Sequence, residues 1–137
     1  MKEECTEITD KKLISFKEKK RKSHLMVANP QKLKVMRVDV DGCQINDDSL
    51  RCDYFFQAKD TEHYVELKGE DVPHAIKQLK STIEQLSADR QKTTKVSFII
   101  CSRSPMTAAA IQNERVKFRK HYNSDLAVLK SGNTYRL

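Results

Sequence analysis

The chain has 137 residues, 38% of them apolar and 33% charged, which suits one globular domain with a single core and no second domain. A formal net charge of +7 and a pI near 9.3 favour polyanionic partners such as nucleic acid or an anionic membrane surface. No run of about 18 apolar residues is present to span a membrane. Met1 is followed by Lys2, Glu3 and Glu4 rather than by the apolar stretch of a signal peptide, so a cytoplasmic protein is expected. The four cysteines, Cys5, Cys43, Cys52 and Cys101, lack any C-x-x-C spacing and match neither a zinc site nor a dense disulfide framework. They read as reduced, partly buried thiols.

In chain order, residues 1–30 read as a basic helical segment and residues 31–137 as a sheet-based core. Lys11 to Lys22 carries seven Lys or Arg residues and one acid, Glu18. Ile8, Leu13, Ile14 and Phe16 lie at spacings loosely compatible with a helix, with Thr9 or Asp10 as its cap. The helix's charges would face either phosphates or solvent. Asn29-Pro30 closes the segment, because the residue before proline avoids helical geometry.

Leu33, Val35, Val38 and Val40 then mark an imperfectly alternating strand. Asp41-Gly42 is a hairpin turn signal, from which Cys43 to Ile45 would begin a return strand, and Asn46 to Ser49 reads as a second turn. Leu50 to Gln57 is rich in aromatics and reads as a strand, Ala58 to His63 as a polar hairpin loop, and Tyr64 to Lys68 as the next strand, ended by Gly69. Val72, Ala75, Ile76, Leu79, Ile83 and Leu86 form the clearest amphipathic stripe in the chain, with Asp71 as cap and Pro73 in the first turn. Val96 to Cys101 is a nearly continuous apolar run, expected as a central strand covered on both faces. Thr107 to Tyr122 reads as a helix, and Leu126 to Leu129 as a last strand before a turn at Ser131 to Asn133. The expected class is α/β: a mixed central sheet in the order helix, three strands, helix, strand, helix, strand.

Chemistry gathers on the Tyr64–Lys68 strand. Alternation puts Tyr64, Glu66 and Lys68 on one face, with Val65 and Leu67 on the other. If the hairpin before it is tight, Asp53 lies beside Glu66 or one neighbour away. Two carboxylates and an ammonium then share one patch. Two carboxylates suffice for Mg²⁺, which prefers oxygen ligands and keeps several waters. Such an ion stabilises phosphate charge and acidifies a bound water, and a lysine can orient that water. The bland alternative is a surface cluster of opposite charges across strands. His63, His74 and His121 show no metal-ligand spacing and read as surface histidines. Ser102-Arg103-Ser104-Pro105 would lie at a helix N-terminus, where it either touches a phosphate or simply forms a capped loop.

Asp53, followed after twelve residues by Glu66-Leu67-Lys68, resembles the PD-(D/E)xK phosphodiesterase superfamily, which includes restriction enzymes and archaeal Holliday-junction resolvases. The likeness covers roughly residues 33 to 101. It implies a restriction-endonuclease-like core and a Mg²⁺-dependent nuclease, with Mn²⁺ able to substitute and DNA ahead of RNA as substrate. Asp53, Glu66 and the Leu67 carbonyl would ligate the metal, Lys68 would position the nucleophilic water, and Gln78 on the following helix matches a glutamine found in many members. Cys52 stands where members often have proline. A further glutamate often comes from the first helix; Glu3, Glu4, Glu7 and Glu18 are the candidates. Lys77, Lys80, Arg115, Lys117 and Arg119 would hold backbone phosphates, and a homodimer could reach two strands. The rival expectation is a protein of the same fold that acts by binding another macromolecule, as an adaptor or as half of a toxin and immunity pair.

Overall fold

In two short runs near the N-terminus, Leu13–Lys17 and His24–Ala28, buried side chains fall at alternate positions. Ile14 and Phe16 are buried while Leu13 and Lys17 are exposed, and Leu25 and Val27 are buried between half-buried neighbours. This period of two makes strands rather than the expected basic helix. In the computed structural model, which describes residues 1–18, 23–67, 71–103 and 106–137, a 3-10 turn at Glu3–Cys5 leads into β1 (Thr6–Thr9), β2 (Leu13–Lys17) and β3 (His24–Ala28). The remaining elements are β4 (Val35–Asp39), β5 (Tyr54–Ala58), β6 (Thr61–Leu67), α1 (Val72–Leu86), β7 (Lys95–Cys101), α2 (Ala108–Tyr122), β8 (Ser124–Lys130) and β9 (Thr134–Arg136). Lys19 to Lys22 of the basic stretch lie outside the described residues.

The fold is mixed α/β. A six-stranded sheet runs in the order β1-β4-β5-β6-β7-β8. Pairing is antiparallel from β1 through β6 and parallel between β6, β7 and β8. The parallel pairs follow from the two helices, each of which carries the chain from the end of one strand back to the start of the next. A second, three-stranded sheet joins β2 to β3 antiparallel and β3 to the C-terminal β9 parallel.

Alternation along the central strands splits the core into two layers. On one face Val38, Phe55, Tyr64 and Ile99 pack with Val72, Ala75, Ile76, Leu79 and Ile83 of α1 and with Phe118 and Tyr122 of α2. On the other, Phe56, Val65, Leu67, Phe98 and Ile100 pack with Ile14, Phe16, Leu25 and Val27 of the small sheet. Phe16 stacks on Phe56 at 4.9 Å, and the Arg37 guanidinium lies 4.5 Å from the Phe16 ring centre. Each fully buried side chain of this size contributes roughly 1.5–3 kcal/mol.

Helix α1 keeps its expected boundaries: the Asp71 side chain accepts from His74 N–H at 3.1 Å, and proline occupies the first turn. Thr107 caps α2, which ends at Asn123 in the left-handed conformation, φ 51°. Two hairpin readings change. Ala58 pairs with Thr61, so Lys59 and Asp60 alone form the β5–β6 turn, and Thr61 to His63 join the strand instead of a loop. Cys43 to Ile45 begin no return strand, because Gly42 (φ 77°) folds the backbone into a compact turn that bonds to itself: Gln44 N–H donates to Asp39 O and Ile45 N–H to Val40 O. The return strand starts at Tyr54. Among the described residues, no helix is long and apolar enough to cross a membrane.

Candidate active site

Residues 40–53 form an arch that carries Asp53 into place. Cys43 is bonded to Cys5 in a disulfide with a Cα separation of 5.8 Å, so two of the four cysteines are not the reduced thiols expected. Their partnership joins positions 38 residues apart, which local spacing does not reveal. Val40 and Asp41 N–H both donate to the Asp53 carbonyl. Arg51 bridges to Asp41 at 2.9 Å. Helix α1 grips the far end of the arch: Cys52 N–H donates to Thr82 Oγ1 at 2.8 Å, and Gln78 Nε2 donates to the Arg51 carbonyl at 3.1 Å.

Asp53 immediately precedes β5, and its N–H donates to Val65 O at 3.0 Å. Tyr54 is the last residue paired in the ladder, with Val65, so Asp53 adjoins the Val65–Leu67 end of β6. Alternation puts Glu66 on the helix side with Tyr64, and it is only 3% exposed. Asp53 Oδ2 accepts the Leu67 N–H at 2.8 Å, and its carboxyl lies close enough to that of Glu66 to feel it. Burial raises the Asp53 pKa above the usual carboxylate value; the Leu67 N–H and the Glu66 carboxyl oppose the shift, and the negative charges of Glu18 and Asp41 reinforce it. The protein thus holds two acids side by side, partly withdrawn from water.

Comparison with protein-family models, with curated proteins and with solved structures gives no match.

Other expected site residues fall into place unevenly. Lys68 lies outside the described residues, as do Gly69 and Glu70. Gln78 bonds the strand that delivers Asp53, and its Oε1 is buried without a hydrogen-bond partner among the described residues. Cys52, buried beside Glu66, has its thiol pushed far up by burial first and by the Glu66 charge second; it is a packing residue, not a nucleophile. Of the four N-terminal glutamates, Glu3, Glu4 and Glu7 are exposed on the 3-10 turn and β1. Glu18, just past β2, is half-buried and close enough to raise the pKa values of both Asp53 and Tyr54.

Asp53 and Glu66 are the residues that could hold a divalent cation, with the Leu67 carbonyl adjoining them. A hard ion such as Mg²⁺ suits this oxygen donor set and needs only one or two carboxylates from protein. Among the described residues, no group of three or more His, Cys, Asp or Glu side chains surrounds a single point.

The basic residues differ in availability. Lys77 is exposed on α1. Lys80 and Lys117 both bridge to Glu114, at 3.5 and 3.6 Å, and Arg119 pairs with Asp125. Arg115 Nε donates to the Leu126 carbonyl at 3.1 Å. Of the loop at 102–105, Ser102 and Arg103 are exposed, and Ser104 and Pro105 lie outside the described residues.

Three polar residues have unexpected places. His63 is not a surface histidine: it is buried in β6, stacked on Phe56 at 4.1 Å, with Nδ1 3.1 Å from the Phe56 carbonyl oxygen. Burial lowers its pKa to about 4, so it is neutral at pH 7. Glu62 is buried and accepts from Tyr64 Oη, Ser87 Oγ and the Ala88 N–H, which fastens the end of α1 to β6. Lys95 is buried with its ammonium within 3.1 Å of the carbonyl oxygens of Asp89, Arg90, Thr93 and Tyr122. The polar run Ala58 to His63 concealed the first two, since nothing in it distinguishes a six-residue loop from a two-residue turn with strand on both sides.

Proposed function

We propose that the chain is a metal-dependent nuclease of PD-(D/E)xK type that hydrolyses phosphodiester bonds in nucleic acid, DNA ahead of RNA. The observation that carries this reading is the placement of Asp53, whose side chain accepts the Leu67 N–H, beside the buried Glu66 at the end of β6. The element order supports it: three antiparallel strands, then α1, then β7 parallel to β6, fits the core of that superfamily. The N-terminal strands in place of a first helix are a departure from it.

In this reading Asp53, Glu66 and the Leu67 carbonyl oxygen hold Mg²⁺ or Mn²⁺. When bound, the ion supplies charge stabilisation at the phosphate and a water of lowered pKa. The Leu67 N–H fixes one oxygen of Asp53 and thereby aims the other. Lys68 orients the attacking water and offsets charge at the phosphate. Gln78 and Thr82 hold the backbone at Arg51 and Cys52, which keeps Asp53 beside Glu66. Lys77, on the exposed side of α1, attracts the strand backbone.

Incubation of purified protein with DNA or RNA in Mg²⁺ or Mn²⁺ tests the reading. Cutting is expected in the wild type and absent in Glu66→Ala and Lys68→Ala, with circular dichroism showing the fold retained. Equal activity in folded variants would defeat the assignment.

A further inference from the structure

At the carboxyl ends of β7 and β8, beside the first turns of α2, lies a cavity of about 330 Å³ lined by Cys101, Arg103, Ala108, Ile111, Arg115, Val128 and Lys130. Among the described residues, its charged lining consists of three cations and no acid. Lys130 pairs with Cys101 across the parallel ladder, and Arg115 is held by its Nε bond to Leu126 O, so its remaining guanidinium N–H groups belong to a fixed side chain. The floor is apolar, from Ile111 and Val128. The rim is therefore positive above a low-dielectric base, which strengthens attraction for an anion. Helix α2, 15 residues long, adds the partial positive charge of its N-terminus.

The cavity and the acid pair share one edge and one face of the sheet. Glu66 is the ladder partner of Ile99, and Ile99 of Val128. Strands lie about 4.8 Å apart, so the β8 position is roughly 10 Å from Glu66 across two strand spacings. The advance of about 3.4 Å per nucleotide is measured along the duplex axis while the backbone winds around it, so successive phosphates are farther apart than that and the two sites are about one to two nucleotides apart.

We infer that this cavity is a phosphate-binding subsite, in which Arg103, Arg115 and Lys130 hold a backbone phosphate of the polynucleotide about one to two nucleotides from the bond placed at Asp53 and Glu66. The assignment to a substrate strand rests on the nuclease reading; the anion site itself does not.

Two titrations in EDTA test it, so that no metal takes part. In the first, inorganic phosphate is added to the wild type and to Arg103→Ala, Lys130→Glu and Glu66→Gln while backbone amide shifts are followed by NMR. Shifts at residues 101–115 and 128–130 are expected in the wild type and in Glu66→Gln, with affinity weakened tenfold or more in the other two variants. Absence of phosphate-induced shifts, or equal affinity in all four proteins, would overturn the site. In the second, a short single-stranded oligonucleotide is titrated with and without phosphate. Competition by phosphate, together with several-fold weaker oligonucleotide binding by Lys130→Glu, supports a strand phosphate. Phosphate binding that leaves oligonucleotide binding untouched would overturn that assignment and point to a free phosphate compound. If Glu66→Gln cleaves like wild type while Lys130→Glu loses phosphate, the nuclease reading fails and the anion site stands.

Discussion

Asp53 can be altered in two ways that the geometry separates. Asp53→Asn keeps an oxygen for the Leu67 N–H and offers an amide donor to Glu66, so it imitates the protonated carboxyl. Asp53→Ala removes both. The Leu67 N–H donates to Asp53 at 2.8 Å, and leaving a buried N–H without its acceptor costs about 1–3 kcal/mol. With unfolding entropies of about 2.1 cal/mol/K per residue, a chain of 137 residues shifts its Tm by roughly 3–4 °C per kcal/mol. In metal-free buffer at pH 7.5 the alanine variant should therefore melt about 3–12 °C below the asparagine variant, and the asparagine variant should melt at or above the wild type.

The pH dependence follows from the same pair. The Asp53 pKa is raised from 3.8 by burial, so the native protein binds that proton more tightly than the unfolded chain does. Stability from this group is complete below pH 3.8 and is lost as pH rises through the raised native value; Asp53→Asn should remove that loss. A divalent ion at a hundredfold excess over its Kd adds about 2.7 kcal/mol, close to 9 °C here, to the wild type and not to either variant. Thermal melts with EDTA and with Mn²⁺ read all three effects. Asparagine as damaging as alanine, or a Mn²⁺ shift preserved in both variants, would refute the reasoning.

Two further outcomes concern residues away from the pair. His63, neutral in its stack with a pKa lowered from 6.5 to about 4, contributes stability that is present above pH 6.5 and lost as pH falls toward 4. The limiting slope is about 1.4 kcal/mol per pH unit, and denaturant titrations of His63→Phe should show a flatter acid limb; an unchanged limb would put the acid sensitivity elsewhere. Lys95→Met strips a charged donor from four backbone carbonyls and should cost about 3–5 kcal/mol in urea unfolding; a cost under about 1 kcal/mol would show that water or another donor replaces the ammonium.

Much of the central sheet was readable because its signals are local. The stripe from Val72 to Leu86, the apolar run at 96–101 and the acids flanking a hairpin all depend on neighbours within a few residues. The N-terminal segment was misread because Ile14, Phe16, Leu25 and Val27 become a buried face only when β2 and β3 lie on Phe56 and Phe98. The parallel pairing of Met26 with Thr134, from opposite ends of the chain, leaves no periodic trace at all. The same holds for the Cys5–Cys43 bridge and for Lys95, whose acceptors come from the α1–β7 loop and the end of α2. At the candidate site, the hairpin reading put Asp53 beside Glu66 or one neighbour away, and the two-residue turn at Lys59 and Asp60, which that reading missed, sets where Asp53 meets β6. Glu18 was one of four glutamates that spacing could not separate, until β2 brought it near Asp53.

The arch from 40 to 53 is riveted at one end by a covalent bond and stitched at the other to a helix. Neither acid has to be recruited when a cation arrives, so the ordering cost falls on folding rather than on capture. Such a preset frame has little give: ions of unequal radius must be accommodated through their own water and the substrate's oxygens, and discrimination among metals would then arise from hydration chemistry more than from any yielding of the polypeptide.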